Sequence, residues 1–384
     1  MMRTILFSRN SRTTDSRGAA KSAEFFFPLM PLRAACALMV LGATLIRAQE
    51  ATSGFDLRTT LSAAGTYSRR LTEAPRSSNP LSAGLRGMLY PTWKLNRNWT
   101  VAGAVQVHSR PYFAEQFSSQ GNGVKADILQ AHLSYSRFWN NGSVVVRAGQ
   151  LSSAFGSFLL RYDDADNPLV NMPLAYGYYY KPITNYGLAG AQVDITSGKT
   201  DARLQFATSS PANRRSVFDH DQYGNWAAGL GYTIVQGFRV GASAYRGPYL
   251  HRQYAYYFPG EAKPSELIGS GYGLDVQWGR GHWNVSGEMQ WFRREYRAIP
   301  TFTEKASYAE ARRVLHPRWY TAVRAGDLRS NRGSVSKAYE TTVGFRPNRH
   351  QLIKVGYQIG KGAAASALTV QVVTTLRLVS IARD

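Results

Sequence analysis

From Phe55 to the C-terminus, apolar and polar side chains alternate with a period of two, segment after segment. In the first segment Phe55, Leu57, Leu61, Ala63 and Tyr67 fall on one face, and Asp56, Arg58, Thr60, Ser62, Thr66 and Ser68 on the other. Such a rhythm places the two sets on opposite sides of a β-strand. It returns as Leu85, Leu89 and Trp93 against Arg86, Tyr90 and Lys94, and as Trp99, Val101, Val105 and Val107 against Thr100, Gln106 and His108. Later examples are Trp283, Val285, Met289 and Trp291 against Asn284, Ser286, Glu288 and Gln290, and Ile353, Val355, Tyr357 and Ile359 against Lys354, Gln358 and Gly360. The chain is therefore all-β.

The breaks between segments come in two kinds. Short ones fall at 96–98, 140–142, 197–199, 235–237, 279–282, 316–318 and 347–350. Longer polar ones fall between them, around 72–80, 109–125, 152–186, 209–224, 248–267, 294–304, 328–336 and 361–366. Seven tight turns alternating with eight loops predict about 16 antiparallel strands, with both termini on the turn side. A soluble sandwich also alternates, but tight turns at one end and long loops at the other mark a transmembrane barrel of the bacterial outer membrane. In lipid every backbone amide must pair, so such a sheet closes on itself. Aromatic residues agree: Trp93 and Trp99 bracket the first tight turn, Trp139 borders the second, Phe238 the fourth, Trp278 and Trp283 the fifth, Trp319 the sixth and Phe345 the seventh. Rings gathered at one end of the strands suit a headgroup-level girdle. The last segment, 367–381, alternates strongly, yet the chain ends Ile381-Ala382-Arg383-Asp384 instead of on the aromatic usual for outer-membrane barrels.

Ala34 to Ile46 is an apolar run of 13 residues, preceded by Arg33 and followed by Arg47-Ala48-Gln49-Glu50. A basic flank, a short apolar core and a small residue at a polar boundary predict a secretory signal over 1–48, cleaved after Ala48, with Met30 as an alternative start. The run is short of the roughly 20 residues a spanning helix needs, which weighs against an uncleaved anchor. Residues 49–384 then form a single barrel domain. The only cysteine, Cys36, lies in the signal, so the remainder has no disulfide, thiolate zinc site or cysteine nucleophile. Arg33, three residues before Cys36, argues against a lipid anchor. The net charge of +22 falls only to about +17 when 1–48 is removed, so the basicity belongs to the barrel. Export and the absence of any nucleic-acid-binding signature exclude nucleic acid as the partner. No cofactor or metal motif is present.

A barrel of about 16 strands is wide enough to hold water. Strand parity turns Arg58, Arg86, His108, Arg110, Arg147, Arg203, Arg239, Arg324, Lys354 and Arg377 inward, against fewer acids (Asp56, Asp194, Asp275, Glu288 and Glu340). A positive wall around a watery constriction favours anions. The competing reading has these cations pair with loop acids and merely hold the loop in place.

The longest loop, 152–186, follows the fifth strand. Val146-Arg147-Ala148-Gly149-Gln150-Leu151 followed by Ala154-Phe155-Gly156 resembles the strand-to-constriction-loop passage of the porin superfamily, which includes general and phosphate-selective porins. The resemblance implies a loop folded into the lumen, carrying Phe155, Gly156, Arg161, Asp163, Asp164 and Asp166. It further implies passive diffusion of small hydrophilic solutes, outer-membrane lipid around the barrel and a homotrimer. No residue matches a phosphate site, so phosphate selectivity is not implied. Small residues on the first three strands (Ala63, Gly65, Gly87 and Gly103) are compatible with close subunit packing.

Other features have sharper and blander readings. Asp163, Asp164 and Asp166 could ligate calcium, but the EF-hand spacing and its final Glu are absent, and pairing with basic residues is the simpler account. Met172-Pro173 and the tyrosines of 176–180 suit sugar stacking or, more simply, packing of the loop on the wall. The aromatic loop at 249–258 suits an adhesive surface or an upper girdle. Seven histidines (108, 132, 220, 251, 282, 316 and 350) are scattered without a nucleophile motif, which disfavours an outer-membrane enzyme, even with His220 between two aspartates. A plugged structural or adhesive barrel is the main rival to a channel.

Overall fold

Each alternating segment is a strand in the computed structural model, which describes residues 53–383 apart from 74–78, 114–116, 118–122, 178–186, 209–223, 249–265, 298 and 363. The expected export signal, the aromatic loop at 249–258, and His220 and His251 lie outside the described residues. The strands are β1 (Ser53–Tyr67), β2 (Leu81–Lys94), β3 (Trp99–Arg110), β4 (Gly123–Trp139), β5 (Gly142–Leu151), β6 (Leu188–Ser197), β7 (Thr200–Ala207) and β8 (Asn225–Val235). They continue as β9 (Phe238–Pro248), β10 (Ile268–Arg280), β11 (Trp283–Arg294), β12 (Phe302–His316), β13 (Trp319–Ser330), β14 (Val335–Asn348), β15 (Gln351–Lys361) and β16 (Ala367–Arg383). All seven expected tight turns and all eight longer connections fall between strands as the sequence places them.

Every strand pairs antiparallel with its sequence neighbours, and β1 pairs with β16 from Ser53↔Arg383 to Tyr67↔Leu368. The sheet is thus closed and leaves no edge to water or lipid. The period-two pattern then sorts the faces. Leu61, Leu85, Val107, Leu133, Leu204, Leu230, Leu274, Met289, Val323, Val355 and Leu368 are exposed on the outside. Polar residues between them, including Thr60, Ser62, Arg86, Gln106, Gln205, Glu288, Glu310, Arg324, Glu340 and Lys354, are buried on the inside. This inverts a soluble protein, as a lipid-facing wall requires.

The register shifts at several strand pairs, and the bulge in β4 is the one that turns an apolar residue inward beneath the loop. Ala104 pairs with Gln130 but Val105 with Ile128, so Leu129 is the extra residue of β4. It turns inward and is buried with Met88 and Ala104, and its carbonyl accepts from Gly187 N at 2.9 Å. The main apolar core also lies inside the barrel. Ala154, Phe155, Phe158, Leu174, Ala175 and Tyr176 of the long loop pack there against Ala227, Tyr245, Phe292, Ala306, Tyr308 and Leu328 of the wall. The inner wall is polar overall, yet on this side it carries enough apolar surface to seat a loop.

Candidate functional site

The loop after β5 enters the lumen through paired amides. Gln205 donates to the Ser152 carbonyl at 2.7 Å and accepts from Ala154 N at 3.0 Å. Phe155 follows, fully buried over Gly271 and Gly273 with its ring 5.7 Å from that of Phe292. Gly156 has φ +79°, and a Cβ there would meet Tyr176 Oη at 2.2 Å and Glu288 Oε1 at 2.7 Å, so no other residue fits. Glu288 gathers this corner: it accepts from Tyr176 Oη at 2.7 Å, Gln290 Nε2 at 2.7 Å, and Ser157 N and Oγ at 3.2 Å.

A single 3-10 turn, Phe158–Arg161, comes next. The ring of Phe158 is fully buried between two guanidiniums, Arg161 at 5.3 Å and Arg324 at 5.5 Å. Both converge on Glu310, Arg324 through Nε at 3.0 Å and Nη2 at 2.8 Å. The chain then crosses the barrel. Tyr162 donates to Gln106 on β3 at 2.9 Å, and its ring lies 4.5 Å from the Arg86 guanidinium.

Beyond the crossing the loop is tied down residue by residue. Asp163 accepts from Thr60 Oγ1 at 2.8 Å and from Tyr90 Oη. Asp164 pairs with Arg86 at 2.8 Å and accepts from Tyr112 Oη at 2.7 Å. Lys354, fully buried, donates to the carbonyls of Asp164 (2.8 Å), Asn167 (3.1 Å) and Leu169 (3.1 Å). Glu340 accepts from Val170 N at 2.9 Å and Asn171 N at 3.0 Å, and Arg324 donates to the Asn171 carbonyl at 2.7 Å. Contacts to β1, β2, β3, β7, β11, β12, β13, β14 and β15 put the loop inside the closed sheet.

The loop carboxylates differ in character. Burial pushes Asp164 up, but the Arg86 guanidinium and the Lys354 ammonium outweigh it and hold the acid below the ordinary carboxylate range. Asp166 moves the other way: burial and the neighbouring Asp163 raise it. No ion-pair partner reaches Asp166 among the described residues.

The inward cations named from parity fall into three sets. Arg86, His108, Arg324 and Lys354 point inward but are buried, because the loop and its neighbours cover them; they do not face open water. That corrects the expectation that all ten line the channel, and for Arg86, Arg324 and Lys354 the loop-holding reading describes the contacts. Arg147 pairs with Asp194, while Arg58 and Arg377 share Asp56. Arg239 grips Asp201 through Nε (2.9 Å) and Nη2 (2.6 Å) and reaches Asp275 at 2.8 Å. It lies flat because Gly231 and Gly241 supply no side chains beneath it; a Cβ at Gly231 would sit 1.9 Å from Arg239 Nη2. Arg110 and Arg203 have no ion-pair partner among the described residues. Asp163 and Asp164 are taken up by hydroxyl groups and Arg86.

Several inner-face residues escaped the sequence reading, among them the acids Asp201 and Glu310 and the cations Arg312 and Arg346. Arg312, whose guanidinium lies 4.6 Å from the Tyr320 ring, and Arg346 both face inward without an ion-pair partner among the described residues. Parity alone marks them, but the adjacent Arg312 and Arg313 blur it, since Arg313 points out onto Trp283. Met88 was hidden for the opposite reason, an apolar residue on the polar face of β2.

Open space remains between the loop and β1–β7. A cavity of about 910 Å³ is bordered by Arg58, Tyr90, Gln130, Tyr162, Asp166 and Arg377. A second of about 520 Å³ is bordered by His132, Arg147, Leu159, Asp194 and Arg203. Both touch Gln130, Ser152 and Leu159, so they adjoin.

No family model matches the chain, and no curated protein does either. Solved structures do. OmpF of Salmonella typhi, solved with daunomycin, superposes with a TM-score of 0.58 at 10% identity, over 84% of this chain and 97% of the other. An anion-selective porin from Comamonas acidovorans gives 0.57 at 11%, over 85% and 100%. The fold is porin-like. A trimer form of OmpT, an outer membrane protein of Vibrio cholerae, gives 0.55 at 10%, over 84% and 99%. At these identities the likeness is one of fold, and the porin-like barrel's own residues must carry any further reading.

Proposed function

We propose that this porin-like barrel is a non-enzymatic channel of the bacterial outer membrane that passes small hydrophilic solutes by diffusion and prefers anions. The observation that carries the reading is a set of inner-face cations held in no close ion pair. Arg203, Arg312 and Arg346 have no ion-pair partner among the described residues, and Arg58 and Arg377 share one carboxylate. Of the loop acids, only Asp164 makes an ion pair among the described residues, and Arg346 acts on Asp166 without pairing with it. Low dielectric walls strengthen such a field and lower the barrier for anions. The route runs along the two adjoining cavities, between Ser152, Leu159 and Tyr162 of the loop and the wall of β1–β7. The likeness to an anion-selective porin supports the reading without deciding it. Reversal potentials of single channels across a KCl gradient test it; cation selectivity overturns the anion preference.

A second reading, a structural barrel with a plugged lumen, is favoured by the crossing at Arg161 and Tyr162, which ties the loop to distant walls. Swelling of liposomes in sugars of graded size separates the two, since a plugged barrel gives none.

A homotrimer is part of the proposal. Toward the loop end the outer face from β16 to β4 carries Gly65, Leu85, Val107, Val124 and Leu368, a stretch free of charge and suited to close packing. Light scattering of the detergent-extracted protein reads the assembly directly.

A further inference from the structure

The wall beneath the larger cavity changes character along one row of inward side chains. On β16, β1 and β2, Arg377 stands directly opposite Arg58, and Arg58 directly opposite Tyr90. Thr60 and Met88 form the next inward row toward the loop. Neighbouring strands lie about 4.8 Å apart, so two cations and an aromatic ring follow one another within about 10 Å of wall.

Like charges directly opposite on one face of a sheet repel. Asp56 holds this pair together, accepting from Arg58 Nε through Oδ2 at 2.7 Å and from Arg377 Nε through Oδ1. Both arginines use Nε for Asp56, so their Nη groups remain, with no hydrogen-bond partner among the described residues. The side chains are 67% and 57% exposed, and the two share a single carboxylate. Guanidinium forks held side by side match the oxygens of a carboxylate or sulfonate.

Beside the forks the cavity is apolar, which the inner face of a channel for hydrophilic solutes does not require. Met88, Ala104 and Leu129 are buried there, and half-buried Tyr90, Leu159 and Tyr162 pack over them. All six border the same space of about 910 Å³ as the two arginines. The other charged groups around it set an orientation. Asp163 is buried and bonded to Thr60 and Tyr90, Asp166 projects from the loop under the influence of Arg346, and His350 stands at the turn end. The loop acids repel an anionic head and the forks attract it, so the head belongs at the wall.

We infer, on the footing of the channel reading above, that this cavity is a binding site for an organic anion with an apolar body. Its carboxylate or sulfonate lies on the Nη groups of Arg58 and Arg377, and its body runs over Tyr90 toward Leu159. Inorganic anions meet the forks but not the apolar floor. Neutral apolar solutes meet the floor but leave the forks without a partner. Asp56 is a positioning residue, aiming both forks into the cavity.

The test is single-channel recording with 4-phenylbutyrate as the probe, compared with acetate, inorganic phosphate and 4-phenyl-1-butanol. 4-Phenylbutyrate should interrupt the wild-type current at a half-blocking concentration at least about tenfold below each of the other three, as contact of a phenyl ring with the floor added to a paired charge requires. R58Q/R377Q should raise that concentration at least about tenfold. L159S should raise it as well while leaving the response to acetate where it was, and K199Q, at a tight turn, should change neither. Equal potency of acetate, phosphate or 4-phenyl-1-butanol overturns the inference, as does an unchanged half-blocking concentration in R58Q/R377Q. Should that double variant not fold, L159S decides, and its unchanged response to 4-phenylbutyrate overturns the inference. An anion-preferring wild-type conductance that 4-phenylbutyrate does not block overturns the inference alone, whereas a wild type without conductance overturns the channel reading and the binding site with it.

Discussion

Arg161 and Tyr162 are consecutive in the chain yet bonded to walls nearly half-way apart around the barrel, Arg161 to Glu310 on β12 and Tyr162 to Gln106 on β3. Two side chains pointing opposite ways from one peptide thus span the lumen. The remaining passage is bounded on one side by the Tyr162 ring. Truncation in Tyr162→Ala removes that boundary while Arg161 keeps its pair. Single-channel conductance should rise and the size limit in liposome swelling should relax. An unchanged conductance would place the solute path elsewhere.

The clamp on Phe158 makes a stability prediction. Its ring is fully buried between two guanidiniums, so Phe158→Ala leaves a cavity costing about 3–5 kcal/mol. The barrel ladder does not depend on this ring, so the loss should fall on the loop. Expected are a folded barrel by circular dichroism, protease cleavage within 158–170, and noisier current.

Arg324 presents the electrostatic counterpart. Its removal in Arg324→Met leaves Glu310 with Arg161 alone and strips the Asn171 carbonyl of its donor. Breaking a buried pair at one partner costs about 3–5 kcal/mol. Restoring charge with Arg324→Lys should recover only part, because one ammonium cannot match the fork that meets Glu310 and Asn171 together. Urea midpoints of loop release, followed by proteolysis, read both.

Selectivity should depend on the cations that lack partners. Arg203→Gln with Arg346→Gln removes positive charge held in no close ion pair and should shift the reversal potential toward cations, whereas Lys354→Gln, behind the loop, should disturb gating noise more than ion preference. If both variants keep the wild-type potential, the sign of selectivity has another source.

Acidity acts through Asp166. Its folded-state value is raised, so its ionised form opposes folding: stability from this group is present below the unfolded carboxylate range and lost as pH rises through the folded value. As pH falls from neutral it protonates before an ordinary aspartate, and anion preference should increase. Asp166→Asn should show that higher preference already at neutral pH and a flatter pH profile. Asp164, held low by Arg86 and Lys354, stays charged through the same window, and its contribution to stability is lost only at stronger acid.

Strand number, turn positions and the inward or outward sense of each strand were legible because period two is a local signal, readable from side chains a few residues apart. The long loop was visible by length and by the Ala154-Phe155-Gly156 passage. What it touches was not. Arg86, Arg324 and Lys354 share their parity with Arg58 and Arg203, yet the first three are covered and the last two border open space; the difference is made by a segment far away in sequence. Leu129 shows another limit, since one extra residue in β4 turns an apolar side chain inward, and no alternation pattern announces where a bulge sits. The pairing of Glu288 with Tyr176 was equally hidden, because contacts of a loop with a wall obey no register.

The ammonium of Lys354 meets the loop at three main-chain oxygens, not at side chains. Carbonyls are common to every amino acid, so the path of the polypeptide across the lumen is specified without reference to what residues 165 and 166 happen to be. Evolution, or a protein engineer, can therefore rewrite those projecting groups and retune what passes while the frame that carries them keeps its shape.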